Sequence, residues 1–260
     1  MRDMLDGYAL YVKLYGERNS GTNFVEELIQ KNFAAQLLQS NNKIYQFLRE
    51  AEPKLSHEMR GQFRSDLLDL DCARMRSSDF GWKHGCATQD AIRPSPHGDR
   101  TLFVCVIKHP VFWLKSLSRR PYNPIERPPK DFSKFIRYDW PLTSRDNVPG
   151  KERINIVELW NLKNRSYLGL KAVTDRVLVQ RYEELLCKPL DFFRQIEIHL
   201  LKKVEDYKWE FSSTKGESEN FEGYKAKYDL GNIADQCSKE DFDFIMERID
   251  PAVMADLGYV

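Results

Sequence analysis

The run Leu102-Phe103-Val104-Cys105-Val106-Ile107 restricts the fold of this chain more than any other stretch. Six consecutive apolar residues leave no polar face, so the strand they form is buried on both sides, as strands of parallel sheets are. After Lys108-His109-Pro110 comes Val111-Phe112-Trp113-Leu114, which predicts a helix with proline in its first turn. Residues 9–15 (ALYVKLY) and 176–180 (RVLVQ, tipped by Arg181) read as two further strands, and residues 79–84 (DFGWKH) as a short one ending in two basic side chains. Helical spacing follows at 24–33, 154–170, 190–204 and 239–249, while 41–76 is charged, helical or irregular, and broken at Pro53. Strands alternating with helices imply right-handed crossovers and a three-layer α/β/α arrangement around a central parallel sheet. A length of 260 residues suits one domain over 1–260.

The bulk charge names no partner. With 40 basic against 39 acidic side chains the formal charge is +1, so nothing global draws the chain to nucleic acid or to an anionic membrane, and any anion site must be local. Cys72, Cys86, Cys105, Cys187 and Cys237 are widely spaced, with no C-x-x-C pair and no zinc-like spacing, which predicts reduced thiols, no metal and a cytoplasmic protein. No segment approaches the roughly 20 apolar residues that span a bilayer.

The local anion site suggests itself at Gly16-Glu17-Arg18-Asn19-Ser20-Gly21-Thr22-Asn23, between the first strand and the first helix. The frame is that of a phosphate-cradling loop, yet Thr22 stands where an ATP-binding loop carries lysine. A helix N-terminus still offers backbone N–H groups and a partial positive charge. The strand tips where a magnesium-holding aspartate would be expected carry Lys108 and Arg181 instead, so a metal–triphosphate is poorly served. A sulfuryl group on a phosphate bears one negative charge fewer and suits amides plus fixed cations such as Arg18. The plainer alternative is a strand-to-helix turn built from Gly, Asn and Ser.

Five stretches taken together resemble the P-loop sulfotransferase family: GERNSGTNF at 16–24, FGWKHG at 80–85, VIKHPVFWLKSLSRRPYN at 106–123, RYEELLCKP at 181–189 and the terminal LGYV. The resemblance implies transfer of a sulfuryl group from 3′-phosphoadenosine 5′-phosphosulfate (PAPS) to a hydroxyl or amine of a small molecule or glycan, without metal, leaving adenosine 3′,5′-bisphosphate. It implies that Arg18, Asn19, Ser20, Gly21, Thr22 and Asn23 cradle the 5′-phosphosulfate. Asn19 occupies a place where the family often has Lys or Arg. It further implies that Lys108 and Ser116, eight residues apart, bind the 3′-phosphate, that Tyr182 edges the adenine pocket, and that a late basic loop holding Lys215, Gly216, Lys225 or Lys227 closes over it.

For the proton that the acceptor must lose, His84 is the first choice of base, since imidazole titrates near neutrality. Lys83 would stabilise the leaving phosphate oxygen, and in a continuing strand the two side chains would face opposite ways. His109, beside a proline, and Glu17, in the loop, are the other candidates. Residues 118–129 and 137–142, rich in arginine and aromatics, are the expected walls of the acceptor site. A P-loop kinase or hydrolase with a degenerate loop, and a non-catalytic nucleotide-binding module, are the alternative functions.

Overall fold

The computed structural model describes residues 8–39, 50–123, 125–209 and 221–260. Its centre is a parallel sheet of β1 (Tyr11–Tyr15), β2 (Gln36–Leu37), β3 (Thr101–Ile107) and β4 (Val177–Arg181), in the spatial order β2-β1-β3-β4. Every residue of β3 is buried. Phe103, Cys105 and Ile107 enter one apolar cluster, whereas Leu102, Val104 and Val106 enter the other. Both faces are therefore covered, as the unbroken run required.

The first face packs against α1 (Thr22–Asn32) and the later helices α2 (Tyr182–Cys187) and α3 (Pro189–Glu197). The second packs against α4 (Pro110–Arg119), α5 (Ile156–Leu168), α6 (Lys239–Arg248) and α7 (Pro251–Asp256). Pro110 sits at the first position of α4, where its missing N–H costs nothing, and the imidazole of His109 caps the same end. No helix among the described residues is long and apolar enough to cross a membrane, and all five cysteines are free thiols.

Two expectations are corrected. Residues 79–84 form no strand: a long helix, α8 (His57–Asp79), ends there, and Phe80 and Gly81 turn through the left-handed region with φ of 61° and 82°. Gly81, one residue past a charged helical stretch, is an ordinary helix-stop signal. The helix expected over 190–204 ends at Glu197, and Lys202 instead makes an isolated antiparallel bridge to Phe33.

Candidate functional site

Strand order places the site. From β1 the chain crosses through α1 to β2 on one side, and β3 then pairs on the other side of β1, so the switch of direction falls between β1 and β3. Ligands of open α/β sheets bind at such a point, beyond the carboxyl ends of the strands. The register puts Tyr15 beside Cys105 and Ile107 beside Arg181, so Gly16, Lys108 and Tyr182 emerge next to one another.

The loop itself is tightly folded. Gly16, Asn19 and Gly21 have φ of 155°, 66° and 97°, and a Cβ at Gly21 would collide with the ring of Tyr182. Only glycine gives both that backbone and that approach. Of the expected donors, Ser20 is already engaged: its N–H and its hydroxyl both donate to the Glu17 carbonyl, at 3.0 and 2.7 Å. The amides of Thr22, Asn23 and Phe24 open α1, where no intrahelical acceptor exists for them, and the first turn carries no acidic residue and no side-chain cap.

The 80–85 turn is docked to the loop by β1. Tyr15 and Lys13, two residues apart on one face of the strand, donate to the consecutive carbonyls of Phe80 and Gly81, the tyrosine at 2.5 Å. The amide of Gly16 then donates to the Lys83 carbonyl at 2.9 Å. Lys83 and His84 diverge from there. The buried Lys83 ammonium donates to Asn23 Oδ1 at 2.7 Å and to Glu26 at 3.1 Å, under the first turn of α1, and burial lowers its pKa. His84 Nδ1 lies 2.6 Å from the Gly16 carbonyl, which can only accept, so Nδ1 carries the proton and Nε2 the lone pair. Nε2 makes no hydrogen bond among the described residues. Burial, with the like charges of Lys83 and Arg18, holds His84 well below its ordinary pKa.

On the β3–β4 side the Lys108 ammonium donates to the Asn19 carbonyl at 2.8 Å and lies 4.2 and 4.4 Å from the ring centres of Tyr182 and Tyr228. It has no ion-pair partner among the described residues. Tyr182 donates to or accepts from Tyr224 at 2.9 Å. The side chain of Ser116, half-buried on α4, makes no hydrogen bond among the described residues, so the expected pair with Lys108 is not joined. Lys225, on the short helix Phe221–Ala226, lines an open groove of about 490 Å³ with Arg181, Lys188 and Tyr228. Lys215 and Gly216 lie outside the described residues.

Arg181 and Glu183 are not an ion pair with one another. Arg181 donates to the Gly258 carbonyl, and Glu183 accepts from Tyr259 at 3.0 Å and from the His109 amide at 2.9 Å, so the C-terminal LGYV is clamped onto the tip of β4. His109 is spent as the α4 cap, and burial pushes it down to about 3.

Against Glu17 and Arg18 lies a cavity of about 20 Å³, room for about one water molecule, lined also by Trp113, Tyr122, Trp140 and Lys163 among others. Tyr122 and Trp140 come from the two segments expected to wall the acceptor. Arg18 is flanked by the rings of Trp82 and Tyr122, at 4.8 and 5.7 Å, and donates to the Tyr122 carbonyl. Glu17, 6% exposed, faces Lys163, which also holds Asp146 at 3.0 Å. Burial pushes the Glu17 carboxyl up to about 7, with Asp146 adding to the shift while Lys163 and Arg18 oppose it. Burial works against the charge of Lys163, yet Glu17 and Asp146 outweigh it and raise its pKa. Sequence reasoning missed Lys163 and Asp146, since a lysine inside an amphipathic helix gives no signal of a partner 146 positions away.

The chain matches no protein-family model and no curated protein. Its chemistry is therefore read from this geometry.

Proposed function

We propose that the chain is a PAPS-dependent sulfotransferase of the P-loop, three-layer α/β/α kind, acting on a hydroxyl or amine. The observation that carries this reading is Lys108: a cation at the switch point, bound to the loop that leads into α1 and held by a carbonyl and two aromatic faces instead of a carboxylate. Such a cation is ready to exchange those partners for an anion, and a charge-assisted hydrogen bond is about twice as strong as a neutral one. The acids near the strand tips are otherwise engaged, Glu183 by an amide and a tyrosine and Glu17 by Lys163, which leaves the anion to be neutralised by protein groups.

PAPS would supply the sulfuryl group. The amides of Thr22, Asn23 and Phe24 would hold the 5′-phosphosulfate, with Arg18, Asn19, Ser20 and Gly21 shaping the cradle. Lys108 would turn to the 3′-phosphate together with Ser116, whose half-buried side chain has no hydrogen bond among the described residues. Tyr182 would border the adenine, with Lys225 on the outer edge. Lys83, braced against Asn23, would keep positive charge under the leaving oxygen. His84 Nε2 and Glu17 adjoin the loop as the groups able to take the acceptor's proton.

The test is a comparison of melting temperatures in buffer, in adenosine 3′,5′-bisphosphate with a chelator, and in ATP with Mg²⁺. At about 100 times its dissociation constant a ligand adds about 2.7 kcal/mol of stability. The bisphosphate should raise the melting temperature without metal. A rise with ATP and Mg²⁺ alone would point to a kinase or hydrolase instead.

A further inference from the structure

The Glu17 carboxyl is oddly placed for a loop residue. Its Oε1 is buried and forms no hydrogen bond among the described residues, and Lys163 stands 3.4 Å away at ion-pair distance. A buried carboxylate oxygen left without a donor costs free energy unless something else donates to it. The carboxylate lines the small cavity described above, which admits one water-sized polar group. A wider groove of about 600 Å³ shares Pro141 and Thr143 with that cavity and carries Arg76, Lys151 and Arg153. The small cavity is the size of a reacting hydroxyl or amine, and the groove beside it is large enough for the rest of a molecule.

Resting on the sulfotransferase reading, we infer that Glu17, and not His84, is the catalytic base: the acceptor's O–H or N–H occupies the cavity and gives its proton to Oε1. As the proton moves to Glu17, the acceptor's heavy atom forms its bond to sulfur, and the bond from sulfur to the bridging phosphate oxygen breaks, the electron pair leaving on the adenosine bisphosphate. The same cavity admits water, so sulfuryl transfer to water, slow hydrolysis of PAPS, is the form of the reaction that needs no identified acceptor. Lys163 and Asp146 are positioning residues, the lysine holding the carboxylate at the cavity wall and Asp146 fixing the lysine through a 3.0 Å bond. The groups facing Glu17 are Lys163 and Tyr167 on α5, Asp146 before β-paired residues 153–155, Arg18 in the loop and Cys86 past the 80–85 turn. Of the two bases, Glu17 is the better matched to neutral pH. His84, held well below its usual range, would receive a proton only weakly.

The experiment measures PAPS hydrolysis as a function of pH in the parent protein, in Glu17→Gln and in Asp146→Asn, with the melting shift caused by adenosine 3′,5′-bisphosphate recorded for each. The parent's rate should rise with pH along one acidic limb. Glu17→Gln should lower the plateau about 10²–10⁴-fold and abolish that limb, while the bisphosphate still raises its melting temperature. Asp146→Asn removes an anion beside Glu17 and should move the limb to lower pH, an outcome that stands even if Glu17→Gln fails to fold. A Glu17→Gln protein hydrolysing PAPS at the parent's rate and pH profile would overturn the inference and leave the sulfotransferase reading intact. Absence of any bisphosphate shift in the parent would overturn that reading, and the proton step with it.

Discussion

The two sides of the 16–23 loop are built on opposite electrostatic plans. On the β3–β4 side one ammonium, Lys108, rests on a carbonyl and two tyrosine rings, with no carboxylate paired to it among the described residues. On the far side the ammonium of Lys163 is shared by two buried carboxylates, leaving the cluster short of positive charge. The first arrangement has attraction to spare for an anion, whereas the second has capacity to spare for a proton. A group-transfer site needs both, and a loop only a few residues wide separates them.

That contrast can be broken by removing each ammonium in turn. Lys163→Met strips the cation from two buried carboxylates and should cost about 3–5 kcal/mol of stability, read by denaturant unfolding. It should move bisphosphate affinity far less. Lys108→Ala should do the reverse: loss of a charge-assisted contact to phosphate is worth about 1.5–3 kcal/mol, roughly a 10- to 100-fold rise in the dissociation constant by calorimetry, with a smaller effect on stability. Equal effects of both substitutions on affinity would erase the distinction between the two sides.

A pH dependence sharpens the picture at Glu17. In the unfolded chain Glu17 loses its proton near 4.5, but in the folded protein burial keeps it bound up to about 7. Between those values folding takes up a proton, so this residue makes stability fall as pH rises, and above about 7 its contribution is flat. His84 and His109, both depressed by burial, slope the other way in part of that window. The measurement is therefore the difference between parent and Glu17→Gln unfolding free energies, which should narrow steadily from pH 7 toward pH 4.5 in favour of the parent. A difference independent of pH would mean that the carboxyl titrates as it does in the unfolded chain.

What could be read from the sequence were the parts set by local patterning. The unbroken 102–107 run, the glycine-framed loop before a helical stretch, and Pro110 at a helix start each fixed an element that the structure contains. The 79–84 stretch misled because Phe80 and Trp82 look like strand residues; their burial comes from a helix stop folded back onto β1 by Lys13 and Tyr15, a tertiary effect. Opposite facing of Lys83 and His84 was expected only of a continuing strand; here a turn sends Lys83 to Asn23 and Glu26 and His84 to the Gly16 carbonyl. The Glu17–Lys163–Asp146 cluster was invisible because its members meet only after the sheet and α5 have packed, and no spacing encodes that.

The central claim is that protein cations and amides, without a metal ion, carry a sulfuryl group to and from an adenosine bisphosphate. The most direct measurement is the release of 4-nitrophenolate from 4-nitrophenyl sulfate in the presence of adenosine 3′,5′-bisphosphate and EDTA, where transfer to the bisphosphate generates PAPS. Release that requires the bisphosphate, is unchanged by the chelator and is not supported by ATP with Mg²⁺ is the predicted result. Release that appears only when Mg²⁺ is restored, or that ATP with Mg²⁺ supports in place of the bisphosphate, would contradict it.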